Sequence, residues 1–189
     1  YAVPATSLSR PAMVNLMSTP SSKISLLSVE NYDRLKRRQE SNHKAVWNLL
    51  DAVKDPEIPP LSIWDLGVLQ DITQQQAVIT VTITPTYSGC PAMQVIAEDI
   101  TTVLQRAGYS NFRIATRLSP AWTTDWLSES ARNRLRQYGV TPPQEEDAIF
   151  CPQCSSTEVR LISEFGSTAC KALYQCKTCQ EPFDYFKRI

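Results

Sequence analysis

The sequence predicts an α+β chain: a small two-layer α/β sandwich in the order helix-strand-strand-helix-strand, then a helical connector and a C-terminal four-cysteine ribbon. Three observations carry this. Apolar residues recur at helical spacing in Val46, Leu49, Leu50 and Val53; they alternate with threonines in VITVTIT, residues 78–84; and four cysteines fall as two Cys-x-x-Cys pairs near the C-terminus. With 189 residues, 42% of them apolar, the chain can bury one ordinary core and carry a small metal-stapled unit beside it.

Residues 1–40 read as a disordered or extension tail, rich in Ser, Thr and Pro, without periodicity and without an acidic residue before Glu30. The acid-free stretch with Arg10 and Lys23 also has the composition of an organelle-targeting peptide, the weaker of the two readings. Arg34, Lys36, Arg37 and Arg38 read as a solvated helix face. The sandwich spans 41–119. Ser41 is placed as an N-cap, His43 in a solvated or capping role, and the first helix ends near Asp55-Pro56.

A short strand is expected over Val68–Ile72, and a second where Ile79, Val81 and Ile83 face inward. The second helix follows Pro91. Met93, Ile96, Ile100, Val103, Leu104 and Ala107 form its apolar stripe, Gly108 its stop, and Phe112, Ile114 and Leu118 mark the last strand. Residues 120–147 contain Trp122, Trp126, Leu127, Leu135 and Tyr138 and read as a helical connector, with TPPQEED as a linker into a ribbon over 148–189.

Charge and composition exclude several functions. Lys plus Arg equals Asp plus Glu at 19 each, so no global field draws the chain to nucleic acid or an anionic membrane. A nucleic-acid-binding ribbon is therefore disfavoured. No apolar run is long enough to span a bilayer. His43 is the single histidine, which removes most imidazole chemistry, and five glycines build no phosphate loop. Cysteines in metal spacing place the protein in a reducing compartment, the cytoplasm.

Cys151-Pro-Gln-Cys154 and Cys176-Lys-Thr-Cys179 are separated by 21 residues. Two such turns close a tetrahedral thiolate cage with Zn–S about 2.3 Å and no open position, the arrangement of a structural zinc ribbon; an iron–sulfur cluster is the alternative occupant. Val159, Leu161, Ile162, Leu173, Tyr174, Phe183, Tyr185 and Phe186 are available to cover it. So short a segment has too small a core without its metal. Cys170, on the order of 20 Å from Cys176 along an extended strand, is a partly buried free thiol rather than a fifth ligand.

Cys90 lies in Thr86-Tyr-Ser-Gly-Cys-Pro91, between strand and helix. A helix N-terminus favours the thiolate, suiting a nucleophile or soft-metal ligand, while a free cysteine is as readily a small core hydrophobe. Asp55-Pro-Glu57-Ile-Pro59 sets two carboxylates on a stiff turn; acids in loops usually face water. With only His43 as a partner for Cys90, no catalytic constellation is seen and a non-catalytic protein is expected.

DPEIPPLSIWDLGVL followed by ITPTYSGCPA resembles the metal–sulfur (iron–sulfur) cluster assembly family over about residues 43–119. LSPAWTTDWLSESARNRLRQYGV and FGSTACKALYQCKTCQEPFDYFK resemble one subgroup, the D (or J) subunits of bacterial phenylacetyl-CoA epoxidase systems, to the C-terminus. The resemblance implies that Asp55, Glu57, Thr86 and Cys90 form a cluster-transfer site, with iron or an iron–sulfur cluster held transiently at Cys90. It also implies that Cys151, Cys154, Cys176 and Cys179 bind the C-terminal metal, and it draws attention to Cys170, Trp122 and Trp126. It implies an accessory protein of aerobic phenylacetate degradation that assists cluster delivery to the reductase component. The partners are then that reductase or other epoxidase subunits, with a homodimer compatible. The alternative is a stoichiometric structural subunit of the oxygenase.

Overall fold

The structure, a computed structural model, describes residues 28–144 and 148–189; the tail and targeting expectations for residues 1–27 lie outside them. Residues 28–40 differ from the expected tail. They form helix α1, Val29–Glu40, capped by the Ser28 side chain, which accepts from the Asn31 N–H. Arg34 is not on a solvated face: it is 1% exposed, donates to the carbonyls of Trp64 and Trp126, and stacks over the Trp64 ring at 4.0 Å. A helix whose inward residues are Asn31 and Arg34 has no apolar stripe, and so gave no signal to a search for one.

Helix α2, Lys44–Leu50, starts three residues after Ser41, with His43 at the N-cap position and no side-chain cap. Its inner face is Val46, Trp47 and Leu50. Strands β1, Leu69–Gln75, and β2, Val78–Ile83, pair antiparallel, and β3, Phe112–Thr116, pairs parallel to β2 after the crossover helix α3, Ala92–Arg106. The sheet order is β1-β2-β3, which places β2 in the middle. Ile79, Val81 and Ile83 are buried as expected, with Ile96, Ile100 and Leu104 of α3 in the same core, while Leu118 falls past β3 and is exposed. Helix, strand, strand, helix and strand thus follow in the expected order.

The connector holds a 3-10 turn, Thr124–Trp126, and helix α4, Glu129–Gln137. Trp122 and Trp126 are core residues; the Trp122 indole donates to the Leu66 carbonyl at 2.9 Å. Gly67 permits this packing. It has φ +75°, and a Cβ there would stand 2.7 Å from that of Trp126.

The expected linker is partly strand: β4, Val140–Thr141, pairs parallel with β7, Pro182–Phe186, in a second sheet ordered β4-β7-β6-β5. There β5 is Val159–Ser163 and β6 is Lys171–Cys176. The ribbon is also docked. Cys170 and Phe186 belong to the large core, and the Ile189 carbonyl accepts from the Thr124 N–H.

Deleting residues 28–40 is therefore expected to destabilise the protein. Loss of the Arg34 donors leaves two inward carbonyls unpaired at about 1–3 kcal/mol each, read as a lower urea midpoint; an unchanged midpoint would show that α1 contributes nothing.

Candidate functional site

Two sites emerge, one in each unit. In the ribbon, the turn after Cys151 and the turn after Cys176 bring four sulfurs within 4.8 Å of one another. Cys151 Sγ to Cys179 Sγ and Cys154 Sγ to Cys176 Sγ are both 3.6 Å. A tetrahedron with metal–sulfur bonds of about 2.3 Å has edges of about 3.8 Å, so the donors fit a single tetrathiolate-bound ion. The backbone N–H groups of Cys179 and Thr178 point at Cys176 Sγ and hold that thiol down at about 6. Cys151, Cys176 and Phe183 form the ribbon's own small core, with Ile149, Val159 and Tyr174 against it. Leu161 and Ile162, expected to cover the cage, are instead exposed on the edge strand β5, and Phe186 turns to the large core.

The second site is built where the chain leaves α2 and where it enters α3. Asp55 is 6% exposed, and its Oδ1 accepts from the N–H groups of Glu57 and Ile58, both at 2.9 Å. That closes the turn which Pro56 stiffens. Burial pushes the Asp55 carboxyl up from its ordinary value, against those two N–H donors and the Lys171 ammonium. Burial also raises Glu57, with the Asp55 charge adding to it, while Lys171 and the Thr168 hydroxyl oppose.

Cys90 is half-buried and joins this group. Its thiol is pushed up by burial, then drawn down by the Ala92 N–H, raised again by Glu57 and Asp55, and eased by the Thr86 hydroxyl. The helix-terminus expectation is corrected in part. The N–H contribution exists, but desolvation and two carboxylates outweigh it, so the resting group is a thiol. The structure thus brings together Asp55, Glu57, Thr86 and Cys90. His43 stands elsewhere, in a cleft with Gln74, Tyr109 and Asn111, and offers Cys90 no imidazole.

Sequence reading missed three members of this neighbourhood. The Tyr87 hydroxyl is raised chiefly by its burial, with the nearby Cys90, Glu57 and Cys170 adding to it. Thr168 and Lys171 come from the ribbon, in the loop before β6 and at its start. Tyr87 lies inside the motif Thr86-Tyr-Ser-Gly-Cys-Pro91, which is the signal for it; the ribbon residues are more than a hundred positions from Asp55, and no spacing rule connects them.

Asp55→Asn tests the electrostatics. A carboxyl whose folded value is raised favours the fold at low pH and penalises it once ionised, so wild-type stability should rise as pH falls from neutral through the raised carboxylate range. An asparagine keeps the Oδ1 acceptor and drops the charge. The variant is expected to melt at or above the wild-type temperature at neutral pH, with a flatter pH profile; a lower melting temperature with an unchanged profile would contradict this.

The chain matches the family described as PaaD zinc beta ribbon domain over residues 136–187 and that described as iron-sulfur cluster assembly protein over residues 43–108. It is 47% identical over 151 residues to the Escherichia coli (strain K12) protein named as the D component of a "putative 1,2-phenylacetyl-CoA epoxidase", covering 76% of this chain and 92% of that one. It is 34% identical over 89 residues to the "Fe-S protein maturation auxiliary factor" of Porphyromonas gingivalis, covering 46% of this chain and 84% of that one. A crystal structure of a DUF59 domain of unknown function from Bacillus anthracis aligns with a TM-score of 0.46 at 24% identity, over 55% of this chain and 95% of that one.

Proposed function

The chain belongs to the family of phenylacetyl-CoA epoxidase D subunits, and from that premise we propose that it is a non-catalytic maturation factor that helps install the iron–sulfur cluster of the epoxidase reductase. The observation that carries this reading is a half-exposed thiol, Cys90, set among Asp55, Glu57 and Thr86 with no imidazole in reach. Such a group can take and release a metal ion through sulfur and carboxylate oxygen. It lacks the base that a thiol nucleophile needs. The likeness to a maturation auxiliary factor supports the same reading.

The ribbon's resident ion is zinc in this reading. Sulfurs 3.6 Å apart leave room for one ion, whereas a multi-iron cluster spreads its thiolates over separate irons. The residues that hold it are Cys151, Cys154, Cys176 and Cys179. Six cysteines without a disulfide suit a reducing cytoplasm, and among the described residues no helix is long and apolar enough to cross a membrane.

The test is to mature the reductase in cells with and without this protein and measure its iron and acid-labile sulfide. A reductase short of cluster in its absence is expected; equal content would end the proposal. The relative's name, which makes it a component of the epoxidase, favours a second reading, a stoichiometric structural part of the oxygenase. A maturation factor is dispensable once the reductase is complete, so loss of activity on removing the protein from the finished complex would favour that alternative.

A further inference from the structure

From Val78, the first residue of β2, to Ala97 in α3 there is no charged residue, in a chain of which 20% is charged. Burial accounts for part of this run. β2 is the middle strand and is largely buried, and Ala92 and Ile96 of α3 face the core. Burial does not account for Ser88, Gly89, Pro91, Gln94 and Val95, which are exposed, Val95 to 43%. At such positions a charge keeps its water and costs least.

These five positions gather round Cys90. The Cys90 N–H donates to the Tyr87 carbonyl at 3.2 Å and the Met93 N–H to the Cys90 carbonyl at 3.3 Å, so the chain turns just before the thiol and again just after it. Tyr87, Cys90 and Met93 pack against the large core from this stretch. Ser88, Gly89 and Pro91 are left outside beside the thiol, with Gln94 and Val95 one helical turn further on. Gly89 has φ +87°, and a Cβ there would meet nothing within 4 Å, so among the described residues nothing covers that point.

Helix α3 also forgoes what its own N-terminus favours. An acidic side chain in a first turn is stabilised by the helix dipole, and a hydroxyl or carboxylate cap satisfies a free N–H. Apart from the seven-residue α2, the other helices have both: Ser28 with Glu30 in α1, and Ser128 with Glu129 in α4. α3 has neither, for it follows Pro91 without a side-chain cap and its first turn holds no acid. Local stability would place a carboxylate at Gln94 or Val95. The neutrality of this surface is therefore held against the preference of the helix that carries it.

We propose that this uncharged face is where a protein recipient docks over Cys90, its own contacting surface uncharged in turn. This rests on the delivery reading and names the kind of partner which that reading requires. Transfer from a thiol needs the recipient's ligand to reach the sulfur, so whatever receives the cargo must cover the residues around Cys90. A charged surface seated there would lose its hydration and meet no counter-charge on the α3 side, whereas small, apolar and amide-bearing side chains fit it. Asp55 and Glu57 reach the site from the turn after α2, and Asp55 is buried. An association of this kind draws on buried apolar area and little on steering, so it is insensitive to salt.

The probe is the epoxidase reductase, purified without its cluster and titrated into the full chain with zinc retained in the ribbon. Affinity should change by less than about threefold between low and high salt, and should fall about tenfold or more in both Val95→Glu and Val95→Lys. Because Val95 is exposed, neither variant should shift the melting temperature or the zinc content. The same two charges at Gln105, exposed near the other end of α3 and about 15 Å along it, should leave binding unchanged. No association, weakening by only one sign of charge, weakening by neither, or a complex that high salt disperses would each overturn the proposal. The cell assay keeps this apart from delivery. A reductase fully loaded without the protein, with binding still lost in Val95→Glu, removes delivery and keeps the docking face. A reductase that needs the protein, yet binds Val95→Glu as tightly as the wild type, keeps delivery and removes the face.

Discussion

Cys176→Ser is expected to release the ribbon's metal and unfold the second sheet, seen as loss of bound zinc by elemental analysis and loss of amide protection across residues 148–189. Metal binding to such a cage is worth roughly 10–16 kcal/mol, comparable with the whole stability of a domain, about 5–15 kcal/mol. Nothing in the ribbon replaces it, because the core around Cys151 and Cys176 holds Phe183 as its one other buried apolar residue. The damage should also spread beyond the ribbon. Cys170 and Phe186 pack into the large core, and Phe186 lies 6.0 Å from the Trp122 ring, centroid to centroid. Their withdrawal exposes that aromatic surface and should cost the first unit about 2–5 kcal/mol, read by urea titration followed through tryptophan fluorescence. A variant that keeps its zinc and its amide protection would refute the account.

Cys90→Ala should have the opposite signature, with little change in stability and a large change in function. The side chain is small and half-exposed, so truncation is expected to cost about 1 kcal/mol or less. Delivery should fall to the level seen without the protein, since alanine offers no ligand, and the reductase should emerge short of iron and sulfide. In the wild type Cys90 should alkylate before Cys170, which is 5% exposed. Because the Cys90 thiol is raised, its alkylation rate should still be climbing at pH values where an ordinary cysteine has levelled off. A destabilised Cys90→Ala protein that delivers normally would show Cys90 to be a core residue and nothing more.

Local patterns were legible because short-range physics produces them. The alternation in VITVTIT placed β2 to within a residue, and the stripe from Met93 to Leu104 placed α3, since strand and helix periods are written directly in the order of side chains. The ribbon cysteines were legible because a chelating turn requires a fixed spacing. Helix α1 was not. Its inward side chains are Asn31 and Arg34, and only the carbonyls of Trp64 and Trp126 and the Trp64 ring make their burial favourable. Strand β4 was hidden for a similar reason: two residues beside consecutive prolines carry no strand period, and only β7 makes them a strand.

The sequence by itself therefore determined the order of elements in the sandwich, the four-sulfur cage, and the two segments that carry Asp55, Glu57, Thr86 and Cys90. Tertiary structure alone decided the protonation of Cys90, because desolvation and the reach of two carboxylates depend on what is packed around a thiol and not on its neighbours in the chain. It alone decided that Lys171 and Cys170 of the ribbon fall within electrostatic reach of Asp55 and Glu57. Electrostatic interaction acts through space, so residues more than a hundred positions apart become one site only after the fold has closed.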